Sequence, residues 1–271
     1  MENFQEVDEL DFENIIYEKK DGVATITLNR PKALNALNTA VMTELRTAIH
    51  DADEDESMRV IVITGAGDRA FCAGADIPEL QSKSPIEARN WSMWLQMITR
   101  EIEAIQTPVI AKINGFCLGG GLELAMSCDF RIASDKSKFG QPEINLGVIP
   151  GAGGTQRLTR LVGRTKSMEI NMLGQAGLID AQEAYRLNLI NRVVPVEELD
   201  NAVNDYIEKL KALSPVTIGI IKLAVNKGIE MDIDRALYYE AECFGMAVST
   251  EDFKEGTSAF LEKRKPEFKG R

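Results

Sequence analysis

Val60-Ile61-Val62-Ile63-Thr64 is an unbroken apolar run of strand length. A strand with one face in water alternates apolar and polar residues, so a run without alternation suits a strand buried on both faces. Such a strand needs a layer above it and a layer below it. Its neighbours fit a layered α/β chain. Val23-Ala24-Thr25-Ile26-Thr27-Leu28-Asn29 alternates with period two. Val109–Ile113, Phe130–Ala133 and Arg192–Val194 read as further strands. Amphipathic helices lie between them. One is capped by Thr39 and runs to about Ala52, with Val41, Met42, Leu45 and Ile49 on its apolar face; another covers roughly Pro85 to Ile105. From Gly153 on helices dominate. Asp180-Ala181-Gln182-Glu183 has the spacing of a capping box, and three to four amphipathic helices follow between Glu197 and Lys265. Strands and helices alternate first and helices follow, which is α/β with a helical C-terminal region. A doubly wound nucleotide-binding fold has a similar rhythm, but no G-x-G-x-x-G follows the first predicted strand.

Charge and composition exclude several functions. The net charge of -11 repels nucleic acid on average. Acid gathers at the start, where Glu2, Glu6, Asp8, Glu9, Asp11 and Glu13 precede any base, while Lys263, Arg264, Lys265, Lys269 and Arg271 make the end basic. That end reads either as a solvated helix terminus or as help with an anionic ligand. The four cysteines (Cys72, Cys117, Cys128, Cys243) show no C-x-x-C spacing, and the acidic start has no apolar signal region. No run reaches the ~18 apolar residues of a membrane span. The expectation is a cytoplasmic protein with no membrane and no nucleic-acid partner. The single histidine, His50, is expected on the surface in the last turn of its helix. One histidine argues against a histidine-based triad and against a multi-histidine metal site, so no metal is expected.

Two glutamates stand out. Glu123 lies in Gly119-Gly120-Gly121-Leu122-Glu123-Leu124-Ala125-Met126, and Glu143 in Phe139-Gly140-Gln141-Pro142-Glu143-Ile144-Asn145-Leu146-Gly147. Carboxylates are rarely buried unless paired or working. Neither has a basic residue three or four positions away. Two of them beside glycine-rich loops point to acid/base chemistry. Gly119-Gly120-Gly121 opens a helix, so its free N–H groups suit an anion; close packing of helix on strand explains the same glycines. Phe71-Cys72-Ala73-Gly74-Ala75-Asp76-Ile77 follows a buried strand and reads either as a tight loop or as backbone donors aimed at an oxygen. Ile149-Pro150-Gly151-Ala152-Gly153-Gly154-Thr155-Gln156-Arg157 lacks the Gly-Lys-Ser/Thr of a phosphate loop, so its backbone donors are expected to hold a water or a loop. Cys72 as a nucleophile would need a basic partner that a one-histidine chain hardly supplies.

These segments, together with Asn29-Arg30-Pro31-Lys32-Ala33-Leu34-Asn35-Ala36-Leu37 and Asn114-Gly115-Phe116-Cys117-Leu118, resemble the crotonase (enoyl-CoA hydratase) superfamily in content and order, from about residue 14 to Phe268. The resemblance implies a crotonase-like spiral of ββα units over residues 14–195. It implies a helical C-terminal region, residues 196–271, that trimerises, often as a dimer of trimers. It further implies an acyl-coenzyme A thioester as substrate, the coenzyme being part of the substrate and no separate cofactor being used. By similarity Ala75 and Gly120 supply two N–H groups to the thioester oxygen, and Glu123 and Glu143 are the acid/base pair. Gly151 matches a backbone position near the catalytic water. Ala36, Asp76, Ile77 and Pro78 match stretches that line the coenzyme. Relatives often carry lysine at Pro78, so a phosphate contact would come from Lys32 or from the basic tail of a neighbouring subunit.

The activity so implied is addition of water across the 2,3 double bond of a 2-enoyl-CoA to give a 3-hydroxyacyl-CoA. The alternatives on the same fold are an enoyl-CoA isomerase and a hydratase of an alicyclic or dienoyl-CoA. A non-catalytic RNA-binding relative is disfavoured by the two glutamates and by the acidic net charge. The resemblance assigns water activation to Glu123 and the C2 proton to Glu143; the residues alone leave that division open. Trp91, Trp94 and Met97 recur at helical spacing in one helix. They read either as core or, because the equivalent helix of crotonases flanks the acyl chain, as a wall of the acyl pocket.

Overall fold

The structure, a computed structural model, describes residues 10–271. Of the acidic N-terminal cluster, Glu2, Glu6, Asp8 and Glu9 lie outside the described residues. The chain runs β1 (Ile15–Lys20), β2 (Val23–Leu28), α1 (Thr39–Glu54), β3 (Val60–Gly65), β4 (Ala70–Cys72), α2 (Ile77–Gln81), α3 (Pro85–Ala104), β5 (Val109–Ile113), β6 (Phe116–Leu118), α4 (Gly120–Ser127), β7 (Phe130–Ser134), β8 (Lys138–Gly140), α5 (Gly154–Leu173), β9 (Ile179–Asp180), α6 (Ala181–Arg186) and β10 (Arg192–Val194). Four helices follow: α7 (Leu199–Lys211), α8 (Pro215–Gly228), α9 (Ile233–Val248) and α10 (Glu251–Glu262). Among the described residues no helix is long and apolar enough to cross a membrane.

The repeat is ββα. Each turn of chain leaves a longer strand in a six-stranded sheet of order β1-β2-β3-β5-β7-β10 and, from β4 on, a short strand in a four-stranded sheet of order β4-β6-β8-β9. Pairing is parallel except for β1 with β2 and β8 with β9. The larger sheet grows in one direction in chain order, which is a spiral. A doubly wound fold would reverse at a switch point, and no reversal occurs here.

The run Val60–Thr64 is apolar throughout because both faces of β3 are covered. Ile61 and Ile63 point into the main core with Val109, Ala111, Ile113 and the apolar faces of α1 and α3. Val60 and Val62 point the other way, with Ile110 and Ile132, against Leu199, Ala202, Val203 and Ile207 of α7. Each such side chain is worth roughly 1.5–3 kcal/mol on burial, so α7 is part of the sheet's cover and its loss would expose the outer face.

Local signals set the helix boundaries. Asn38, one residue before the expected Thr39, is the N-cap of α1 and accepts from Val41 N at 2.8 Å. Thr39 N–H is free for a partner across the fold and donates to Glu79 Oε2 at 2.8 Å. Ser84 and Glu87 make a reciprocal capping box at the start of α3, with Pro85 in its first turn. Asp180 caps α6 by accepting from Glu183 N at 2.8 Å, but the Glu183 side chain turns to Arg186, so the reciprocal half of the box is not made. His50 lies on the solvent side of α1 with Nε2 3.0 Å from Glu101. In the basic tail, Arg264 pairs with Glu255 and Glu262 and Arg271 with Glu251, all on α10.

Helix α8 is fastened to the sheet by a buried ion pair. Lys222 Nζ lies 2.8 Å from Asp129 Oδ2, and that carboxylate also accepts from Val109 N at 2.8 Å. Burial outweighs the ammonium and pushes the Asp129 carboxyl above its ordinary range. Removing one partner of such a pair strands the other charge. We therefore expect Lys222→Ala to cost about 3–5 kcal/mol of stability in urea unfolding. A loss below ~1 kcal/mol would mark the pair as an ordinary solvated contact.

Candidate active site

Four loops meet at one cavity of about 950 Å³. The first is the exit of β4. Leu37 N donates to Gly74 O and Asp76 N donates to Leu37 O, both at 2.8 Å, so Leu37 and Ala75 form a parallel bridge. In that pattern Gly74 and Asp76 use their polar groups on Leu37 and the intervening Ala75 N–H points to the opposite side. The second is the start of α4. Gly119 holds φ +52°, a conformation that favours glycine, and a Cβ there would come within 2.8 Å of Glu143 Oε1. Gly120 is the first residue of the helix, so its N–H has no intrahelical acceptor. A Cβ on Gly120 would lie 3.6 Å from Ala75 N, which places the two peptides side by side. Ala75 and Gly120 thus present two N–H groups to the same wall of the cavity. Gly121 serves the other reading of the triplet: a Cβ there would collide with the carbonyl oxygen of Cys72, and its absence lets α4 lie against β4.

Glu123 sits one turn into α4 and is buried. Its Oε1 accepts from Ala152 N at 2.8 Å and Gly154 N at 2.6 Å, donors from the loop before α5 and from the first residue of that helix. Among the described residues Oε2 accepts no hydrogen bond from the protein, so it is free to meet water. Burial raises the carboxyl from an ordinary 4.5 to about 7, opposed by the two N–H groups and by Arg157. Glu143 lies in the 3₁₀ turn Pro142–Leu146, half-buried on the same cavity. Burial and the Glu123 charge raise it to about 8. The fully buried Gln141 places one end of its side-chain amide 3.0 Å from Glu143 Oε1 and 3.2 Å from Oε2.

The Gly151–Gly154 loop is held from outside as well. Gly151 O accepts from Ser92 Oγ at 2.5 Å and Gln96 Nε2 at 2.9 Å, both on α3. Ala152 O accepts from Arg157 Nη1 at 3.0 Å, and Arg157 is itself held by Glu103 at 2.7 Å. The loop's backbone donors therefore hold a carboxylate rather than a phosphate. Gln141 was within reach of sequence reading, since it stands two residues before Glu143 in a motif already singled out. Arg157 likewise ends the Ile149–Arg157 segment, whereas Ser92 and Gln96 carried no such signal.

The other expected residues divide. Ile77 and Gly151 line the cavity. Ala36, Asp76 and Pro78 do not: Ala36 O accepts from Arg30 Nη1, Asp76 pairs with Arg30 Nη2 at 2.8 Å and caps α2, and Pro78 is exposed in the first turn of α2. Cys72 is fully buried, with its thiol pushed up to about 12 by burial, which makes it unreactive at neutral pH. The expected acyl wall needs correction. Helix α3 lines the cavity with Ala88, Trp91, Ser92, Leu95, Gln96 and Thr99, and not with Trp94 or Met97. At about 100° per residue, Trp94 lies a quarter-turn past Leu95 on the side away from Ser92, and Met97 lies about 160° round from Leu95. Trp94 packs on the core and Met97 is exposed. Lys83 Nζ stands 5.3 Å from the Trp91 ring centroid and steadies that wall by a cation–π contact.

Comparison with known proteins gives the same answer by sequence and by shape. The enoyl-CoA hydratase/isomerase family matches over residues 18–271. A crotonyl-CoA hydratase of Syntrophomonas wolfei is 48% identical over 257 residues, covering 95% of this chain and 98% of that protein. A short-chain-enoyl-CoA hydratase of Clostridium acetobutylicum is 46% identical over 263 residues, covering 97% and 100%. Among solved structures, an enoyl-CoA hydratase from Bacillus anthracis superposes with a TM-score of 0.90 at 38% identity, covering 96% of this chain and 100% of that one. One from Geobacillus kaustophilus gives 0.90 at 42% identity, covering 96% and 99%.

The raised carboxyls have a consequence for stability. Glu143 holds its proton in the folded chain where the unfolded chain has released it. Its contribution is full below pH 4.5 and is lost as pH rises through about 8. Glu143→Gln removes that loss. Paired thermal melts should show the variant more stable than the parent at about pH 9, with the difference gone at about pH 4.

Proposed function

The chain belongs to the enoyl-CoA hydratase/isomerase family, and from that membership we propose how its two glutamates divide the reaction. The protein is an enoyl-CoA hydratase, a lyase that adds water across the 2,3 double bond of an enoyl-CoA to give the 3-hydroxyacyl-CoA. The observation that carries the division of labour is the unequal setting of the two carboxyls in one cavity. Glu123 accepts two backbone N–H groups, which favours its ionised form, while Glu143 faces the Glu123 charge, which favours its protonated form. The two settings together favour one shared proton, resting on Glu143 with Glu123 ionised.

The reaction then needs nothing beyond these groups and the substrate. The thioester oxygen lies on the N–H groups of Ala75 and Gly120. Glu123 Oε2 takes a proton from a water, and the oxygen adds at C3. Negative charge moves to the thioester oxygen, where two fixed donors, one of them at a helix N-terminus, stabilise it; losing one such donor typically costs about 10²–10³ in rate. Glu143 delivers its proton to C2. The coenzyme A moiety enters with the substrate, past Ile77 at the cavity mouth, and no separate cofactor takes part. A short acyl chain fits the wall made by Trp91 and Leu95, in keeping with the crotonyl and short-chain substrates for which the two relatives are named.

The assay is loss of the ultraviolet absorbance of crotonyl-CoA. We expect turnover by the parent, and a fall in kcat of at least ~10² for Glu123→Gln and for Glu143→Gln with modest change in KM. The double variant should lose less than the product of the singles, because both groups serve one water. Near-parental kcat in either single variant removes that residue from the mechanism.

We further read the protein as a cytoplasmic homotrimer or homohexamer. Unpaired thiols at all four cysteines fit a reducing compartment. The C-terminal helices leave Ile233, Tyr238 and Phe244 of α9 and Phe260 and Leu261 of α10 exposed, more large apolar surface than a monomer normally leaves in water. Light scattering should give a trimer or hexamer mass at micromolar concentration, and a stable monomer would refute this assembly.

A further inference from the structure

We propose that Ser92 and Gln96 are positioning residues for Glu123, acting on it through the single peptide that joins Gly151 to Ala152. This rests on Glu123 as the group that activates water. The peptide is planar, so its carbonyl and its N–H point in opposite directions. On one side Gly151 O accepts from Ser92 Oγ and Gln96 Nε2; on the other Ala152 N–H donates to Glu123 Oε1 at 2.8 Å. Gln96 Nε2 also reaches Ser92 Oγ at 3.2 Å. That contact uses Ser92 as an acceptor and commits its own hydrogen to Gly151 O. The direction of every donor is thereby set, from Gln96 through Ser92 and the peptide to the carboxylate.

Two effects follow. The peptide cannot rotate about its ends without breaking two hydrogen bonds to α3, so the N–H stays aimed at Oε1 and leaves Oε2 for water. Two donors on the carbonyl also polarise the N–H at the other end, which strengthens its bond to the carboxylate. The Gly153–Gly154 peptide is held in a similar way, with Gly153 O accepting from Gln156 N and Arg157 N while Gly154 N–H donates to Glu123 Oε1. Glycine at 151 gives the first peptide no stiffness of its own, so the α3 side chains supply it. The two donors are one helical turn apart, at i and i+4, and so share a face.

The test uses Ser92→Ala, Gln96→Leu and the double variant in the full-length protein with crotonyl-CoA, reading kcat, KM and the pH profile of kcat/KM. The charged groups that bear on Glu123 are Glu143 from the 3₁₀ turn and Arg157 from α5, the latter paired with Glu103 of α3. The acidic limb of the profile therefore belongs to the Glu123–Glu143 pair. Loosening of the Ala152 donor weakens the hold on the ionised carboxylate, so the limb should move to higher pH. For the double variant we expect kcat to fall about tenfold, ~1.4 kcal/mol of barrier, with the limb displaced upward. Ser92→Thr keeps the hydroxyl and should restore both. Ser92 and Gln96 also line the cavity, and a role confined to its shape would alter KM and leave the limb in place. A double variant with unchanged kcat and limb overturns the proposal, and so does a changed KM alone. If the double variant does not fold, Gln96→Leu carries the test, because that side chain is exposed. Glu123→Gln in parallel separates the two failures: should it keep its kcat, the role of Glu123 falls; should it lose kcat while the α3 variants do not, only this inference falls.

Discussion

Helix α4 lies against the exit of β4 so closely that Gly121 has no room for a side chain beside the Cys72 carbonyl. That contact brings the first turn of a helix next to a strand end, and the site depends on it. It sets the Gly120 N–H beside that of Ala75. It carries Glu123, one turn further on, into a region with little water. A side chain at position 121 would lift the helix, separate the two donors and hydrate the carboxylate in one step. The ββα repeat supplies the geometry, since β3, β5 and β7 each hand the chain to a short strand, β4, β6 or β8, that ends beside the cavity.

Burial of two carboxylates in one cavity is unfavourable for folding, and the structure shows how it is tolerated. Glu123 is held on two backbone N–H groups, and Glu143 keeps a proton near neutral pH. The arrangement that makes the pair uneven also makes it useful, because a base and an acid are available together without histidine. The cost falls at high pH, where both groups ionise. The rest of the fold compensates through the twice-covered β3 and the large sheet beneath α7.

Positioning extends a layer beyond the groups that meet the substrate. Gly151 O is occupied by Ser92 and Gln96 and Gly153 O by the N–H groups of Gln156 and Arg157, so the N–H groups at the other ends of those two peptides, of Ala152 and Gly154, are left to face Glu123. The same helix, α3, lines the cavity with Trp91 and Leu95. Its small rotations would therefore act on specificity and on the base at once.

Much of this was legible in the sequence. The apolar run Val60–Thr64 required a sheet covered on both faces, because burial of each face leaves a direct mark on residue type. Glu123 and Glu143 were legible because a carboxylate among glycines and apolar residues has few other uses, and the glycine triplet announced both close packing and free N–H groups. The tertiary structure decided the rest. Which loop would hold Glu123 depends on hydrogen bonds spanning 29 and 31 residues, and the hold on Gly151 spans 59. Helical spacing tells which residues share a face but not where the cavity lies around the axis; hence Trp91 lines it while Trp94 and Met97 do not. The carboxylate of Asp76 is taken by Arg30, distant in sequence, a pairing that neither residue's local motif marks. Residue type records burial and local conformation, which a chain carries along its length. Partnership between distant polar groups leaves no such mark, because a serine or a glutamine on a solvent-facing turn reads the same whether or not a loop comes to meet it.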